Sequence, residues 1–123
     1  MMQKLALLAW SVSAEAPDLC AAPFVYATAA AALDCEVEIH FAGPAVSLLV
    51  VGVAENAITA GGKSVYAFMR EAANLGVRFL ACTMAVGQHA SGGAAMIPEL
   101  SGKTGASTFV ARTLDPDWRA LVF

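Results

Sequence analysis

The chain has 123 residues, of which 59% are hydrophobic and only 14% charged, with a formal net charge of −3. That length holds one ordinary domain and not two. Its seven Lys and Arg residues are scattered, so no basic stripe can neutralise phosphates and nucleic-acid binding is not expected.

Residues 5–10 (LALLAW) form a continuous apolar run, as in a strand covered on both faces. The same region also resembles a leader. Lys4 precedes a short apolar stretch, and Ala14-Glu15-Ala16 is an A-x-A cleavage pattern. We read it as the first strand, because cleavage after Ala16 would take that strand from the sheet. Residues 13–18 read as a loop and residues 19–33 as an alanine-rich helix, with Pro17 or Pro23 tolerable only in its first turn. This stretch is the candidate for a membrane span, but it is bounded by Asp18 and Asp34 and contains Pro23. It falls short of the ~18 residues that a membrane span requires.

Residues 36–41 (EVEIHF) alternate polar and apolar, which predicts a strand less fully covered than the first. Gly43-Pro44 breaks the chain. Residues 45–53 are apolar, and periodicity does not decide between helix and strand there. Residues 55–63 read as a loop with Gly61-Gly62 as punctuation. The clearest helix spans residues 64–75, where Val65, Phe68, Met69 and Ala72 fall on one face. Ser64 suits its N-cap and Gly76 its end.

Residues 77–82 (VRFLAC) predict a strand, followed by a glycine- and alanine-rich stretch over residues 84–95 and a short segment around residues 96–100. Residues 107–112 (STFVAR) read as another strand. Asp115-Pro116-Asp117 suggests the start of a final helical turn, with Trp118, Leu121 and Val122 as its sticky face. Strands alternating with helices imply a three-layer α/β/α domain over residues 1–123, with a mainly parallel sheet of about five strands.

Ligands of open parallel sheets bind outside the carboxyl ends of the strands. Trp10, His40, Phe41, Cys82, Thr83 and Arg112 fall at or just past such ends. His89 follows Cys82, and Cys20 lies near the start of the first helix. Cys35 precedes a strand, so it belongs at the opposite edge in a structural role. Three cysteines without C-x-x-C spacing argue against a disulfide framework and fit a reducing cytoplasm. Cys82 is the sharpest candidate, because a thiol where strand meets helix lies close to free backbone N–H groups that favour thiolate. The opposing reading is a small buried hydrophobe.

The runs at residues 29–49 (AAAALDCEVEIHFAGPAVSLL), 66–82 (YAFMREAANLGVRFLAC) and 97–110 (IPELSGKTGASTFV) resemble the DsrE/DsrF-like family. The most specific element is the Gly-Val-led strand ending in cysteine at residues 76–82. The resemblance implies a DsrE/F-like fold and a persulfide carried on Cys82 for transfer between proteins. It also implies sulfur donor and acceptor proteins as partners and a dimer, trimer or hexamer. Self-association agrees with the composition, since soluble domains average about a quarter charged residues.

Arg112 would favour anionic sulfur if it reaches the site, Cys20 would serve as a resolving thiol, and His40 and His89 would act as acid/base groups. Each also has an ordinary structural role open to it. Persulfide chemistry needs no metal or organic cofactor. Cys82, His40 and His89 have no compact metal-ligand spacing. Gly62-Lys63-Ser64 imitates the end of a P-loop, but Ala57 stands where the first glycine is required. Two other functions remain on the sequence alone: a non-catalytic oligomeric module binding a small molecule, and a thiol peroxidase in which Cys20 resolves a Cys82 sulfenate.

Overall fold

Six residues without a turn former, Lys4–Ala9, make strand β1. In the computed structural model, which describes residues 3–90 and 92–123, it is followed by helix α1 (Pro17–Ala32), strand β2 (Glu36–Phe41), a 3-10 helix (Gly43–Leu49) and helix α2 (Val65–Asn74). Strand β3 (Arg78–Cys82), helix α3 (Thr83–His89), strand β4 (Leu100–Thr104), helix α4 (Ala106–Leu114) and strand β5 (Trp118–Val122) complete the order. Met1 and Met2 of the leader-like pattern, and Ser91 of the glycine- and alanine-rich stretch, lie outside the described residues.

All five strands join one sheet in the order β4-β3-β2-β1-β5, and every neighbouring pair is parallel. β1 lies between two partners, with Lys4 opposite Glu36 on one side and Trp118 on the other. Loss of β1 would therefore leave β5 without a partner and turn β2 into an edge strand.

Side chains alternate across a sheet, so register assigns each residue to a face. Val37, Ile39 and Phe41 of β2 and Phe79 of β3 are buried on one face, where they meet α1. The Phe24 ring lies 5.9 Å from both Phe41 and Phe79. α2 packs beside α1 on this side, its apolar stripe carried by Val65, Met69 and Ala72. Ser64 accepts a hydrogen bond from the Ala67 N–H (3.0 Å), as a cap residue should. Gly76 follows α2 at φ 92°, a conformation that only glycine adopts cheaply. The opposite face carries Glu38 and His40 and is covered by α4, whose Phe109 ring meets the His40 ring edge-on at 5.3 Å.

Four sequence expectations are corrected. Pro23 lies inside α1, not in its first turn. It removes one helix hydrogen bond, but its ring is buried beside Phe24, which offsets part of that cost. β2 is not half-exposed: residues 37–41 are all buried, because its polar residues pair with one another inside. Residues 107–112 belong to α4 and not to a strand. The β propensity of Thr108, Phe109 and Val110 yields to helical spacing, which brings Phe109 and Arg112 onto the sheet one turn apart. The strand instead occupies residues 100–104, at the sheet edge.

Asp115-Pro116-Asp117, the fourth, makes a turn. The Asp117 N–H donates to Asp115 Oδ1 (2.9 Å) and the Trp118 N–H to the Asp115 carbonyl (3.1 Å). The chain then enters β5, not a helix. The undecided apolar segment after Gly43-Pro44 is a 3-10 helix that buries Ala45, Val46, Leu48 and Leu49. The stretch after Cys82 contributes α3.

Candidate functional site

Cys82 is the last residue of β3 and the N-cap of α3. It is half-buried and lines a pocket of about 320 Å³ at the carboxyl end of the sheet, on the α4 side. The pocket wall combines apolar residues (Leu8, Ala42, Met84, Ala85, Phe109, Val110) with His40, Gln88 and Thr104. No Lys or Arg contributes to it. Gly43 turns the wall with φ +52°, and a Cβ there would stand 3.3 Å from the Trp10 carbonyl oxygen.

Below the pocket lies a buried polar chain. Glu38 and His40 are two residues apart on β2, hence on the same face, and each is 1% exposed. His40 Nε2 is 2.9 Å from Glu38 Oε1, and His40 Nδ1 is 2.8 Å from Thr104 Oγ1. Glu38 also accepts the Arg112 fork (Nε 3.0 Å, Nη2 3.2 Å) and Arg78 Nη1 at 3.3 Å. The Arg112 guanidinium rests 4.6 Å from the Trp118 ring centroid, which fixes α4 over β5.

The charges follow from this packing. Burial alone would raise the Glu38 carboxyl, but hydrogen bonds from Arg112 and His40 outweigh it and hold the group below its ordinary value. Burial pushes His40 below its ordinary value. The Glu38 hydrogen bond opposes that shift without cancelling it, and the Arg112 and Arg78 cations add to it. His40 is therefore neutral at pH 7. A carboxylate only accepts, so Nε2 carries the ring hydrogen and donates to Glu38; the bare Nδ1 accepts from the Thr104 hydroxyl.

Of the residues singled out from sequence, the fold brings Cys82 and His40 to one pocket. The others lie elsewhere. Arg112 is on α4, not at a strand end, and is committed to Glu38 without lining the pocket. Thr83 lines a separate, more open cavity of about 520 Å³ with Ala81 and Lys103. His89 ends α3, exposed to solvent and outside the pocket wall.

Cys20 is fully buried on the core-facing side of α1, and burial pushes its thiol up to about 11. It is outside the Cys82 pocket and unsuited to resolving a sulfenate. Cys35 is half-buried just before β2, at the opposite edge of the sheet from the strands' carboxyl ends. Among the described residues, no group of three or more His, Cys, Asp or Glu could hold a metal ion.

Glu38 and Thr104 escaped the sequence reading. A signal existed for the first: the E-x-E-x-H spacing of EVEIHF puts Glu36, Glu38 and His40 on one face of a strand. Thr104 gave none, because its strand was not recognised.

No protein-family model matches the chain, and no curated protein sequence matches it. Among solved structures it is similar to the YchN protein from E. coli, with a TM-score of 0.76 at 12% identity over 100% of both chains. It is also similar to MTH1491, a protein of unknown function from Methanobacterium thermoautotrophicum, with a TM-score of 0.66 at 14% identity over 100% of both chains. At such identities the likeness establishes the fold, which is the α/β arrangement of YchN and DsrE-like proteins, and nothing about activity.

Proposed function

We propose that this protein carries sulfane sulfur as a persulfide on Cys82 and passes it to a partner protein. The observation that carries the reading is the exposure of Cys82 to a formed pocket at the carboxyl end of the sheet. Cys82 attacks the outer sulfur of a donor persulfide, becomes Cys82–S–SH, and yields that outer sulfur to an acceptor thiolate. An apolar wall without Lys or Arg favours an organic persulfide in its uncharged form over an anionic inorganic sulfane-sulfur donor such as thiosulfate. That chemistry requires neither metal nor organic cofactor.

Self-association belongs to the same reading. Met84, Val110, Leu114 and Val122 are large apolar residues at least half exposed, and a second copy of the chain would cover them. Sedimentation of the purified protein measures this directly.

Intact-mass spectrometry after incubation with an alkyl persulfide tests the sulfur reading. Wild type should gain the mass of one sulfur atom and Cys82→Ser none. An adduct that survives in Cys82→Ser would remove the assignment. A second reading, a non-catalytic pocket for a small apolar ligand, is favoured by the composition of the wall. It requires a Cys82 thiol inert to alkylation in the native protein.

A further inference from the structure

Cys82 has a neighbour whose hydrogen bonding is already set. β3 and β4 are adjacent and parallel, and Thr104 is the register partner of Cys82. Both side chains line the same pocket. The Thr104 hydroxyl hydrogen is occupied by His40 Nδ1, and the His40 Nε2 hydrogen by Glu38. The oxygen of Thr104 keeps its two lone pairs as acceptors. From the pocket inward, every donor points the same way: Thr104 to His40, and His40 to Glu38.

We propose that Glu38, His40 and Thr104 form a proton relay for Cys82, in which Thr104, its neighbour across the β3–β4 ladder, exchanges a proton with the reacting sulfur and the other two act through it. The proposal rests on the reading of Cys82 as the sulfur carrier and adds the route by which its thiol loses a proton. In the step, Cys82 Sγ bonds to the outer sulfur of R–S–SH while the R–S to sulfur bond breaks. The Cys82 proton passes to the Thr104 oxygen as the Thr104 hydroxyl proton passes to His40 Nδ1. The departing R–S⁻ takes a proton back along the same path. The sum is Cys82–SH + R–S–SH → Cys82–S–SH + R–SH, with no net oxidation.

The surrounding charges suit a relay that does not keep the proton. His40 faces Glu38 on its own strand, Arg78 on β3 and Arg112 on α4. The carboxylate stabilises a transient imidazolium, and the two cations prevent its accumulation. Thr104 is thereby the residue that exchanges the proton with sulfur, and His40 and Glu38 act through it.

The rate of Cys82 alkylation by iodoacetamide tests this without any sulfur donor. Wild type, Thr104→Val, Thr104→Ser and His40→Gln would be followed from ~pH 5.5 to ~pH 9.5 by intact mass, with alkyl-persulfide loading rates measured beside them. Thr104→Val keeps the side-chain shape and should react at least about tenfold more slowly near neutral pH. Its deficit should close at the alkaline end, where hydroxide removes the proton. Thr104→Ser should stay close to wild type, and His40→Gln, if folded, should follow Thr104→Val.

Equal rates for wild type and Thr104→Val across the range would overturn the relay, even with sulfur loading intact. A uniform slowing at every pH would do the same, since it indicates a distorted pocket. The relay would stand without the sulfur reading if Thr104→Val shows the pH-dependent deficit while wild type takes up no sulfur.

Discussion

His40 and Glu38, two residues apart on β2, share a 2.9 Å hydrogen bond in a site where each is 1% exposed. That contact joins a strand face to helix α4, because Glu38 also takes both arms of the Arg112 fork.

Replacing Glu38 by Gln keeps the shape and removes the charge. Arg112 and Arg78 then face a neutral amide, but their side chains are 30% and 51% exposed, so the cost lies below that of a fully buried pair, at about 1–3 kcal/mol. Urea denaturation should show a loss within this range for Glu38→Gln. Lys4→Gln, at the half-exposed pair with Glu36, should lose less than about 1 kcal/mol.

Stability should fall as the solution is acidified, in two stages. His40 is depressed below the ordinary histidine value, so the unfolded chain takes up a proton that the folded chain refuses. This contribution is complete above the ordinary value of about 6.5 and is lost as pH falls from there toward the folded value. Glu38 is also depressed. Its contribution begins to fade below the ordinary carboxyl value near 4.3 and is lost as pH falls through the folded value. Denaturant midpoints at intervals from neutral to strongly acidic pH give the curve, and His40→Gln should flatten its upper stage.

Iodoacetamide should label Cys82 in the native protein and Cys20 only after unfolding. Cys20 is sealed in the core with its thiol raised to about 11, whereas Cys82 opens on the pocket. Peptide mapping of native and denatured samples separates the two. Native labelling of Cys20 at the rate of Cys82 would contradict the packing of α1.

Gly43→Ala should destabilise the fold by about 1–2 kcal/mol, the cost of holding a side-chain-bearing residue in left-handed backbone. The new methyl would also press on the Trp10 carbonyl oxygen. A thermal melt reports the loss. Gly61→Ala, where a Cβ meets nothing within 4 Å, is the matched control.

The alternating architecture and the position of Cys82 were legible in the sequence, because apolar runs such as LALLAW and the strand-end rule use local pattern alone. The layout after residue 100 was not. LSGKT contains Gly102 and Lys103 and has little strand character, so its place at the sheet edge is set by pairing with β3 and not by propensity. STFVAR has strong strand character and is a helix, because Phe109 and Arg112 find partners on the sheet only at helical spacing. In EVEIHF, alternation is the same for a strand facing water and for one whose polar residues satisfy each other inside. Only the arrival of Arg112 from 74 residues away distinguishes them.

A sheet in which every neighbour runs parallel has no hairpin from which to grow. Each ladder waits for an intervening crossover to close, and Lys4 meets its partner Trp118 only after nearly the whole described chain has been made. Pairings this distant in sequence slow the search for the native state. During synthesis, β1 emerges long before β5 and must keep one side unpaired until residues 118–122 have left the ribosome. Refolding should accordingly be late and cooperative, with the ladder between β1 and β5 among the last to gain protection from hydrogen exchange.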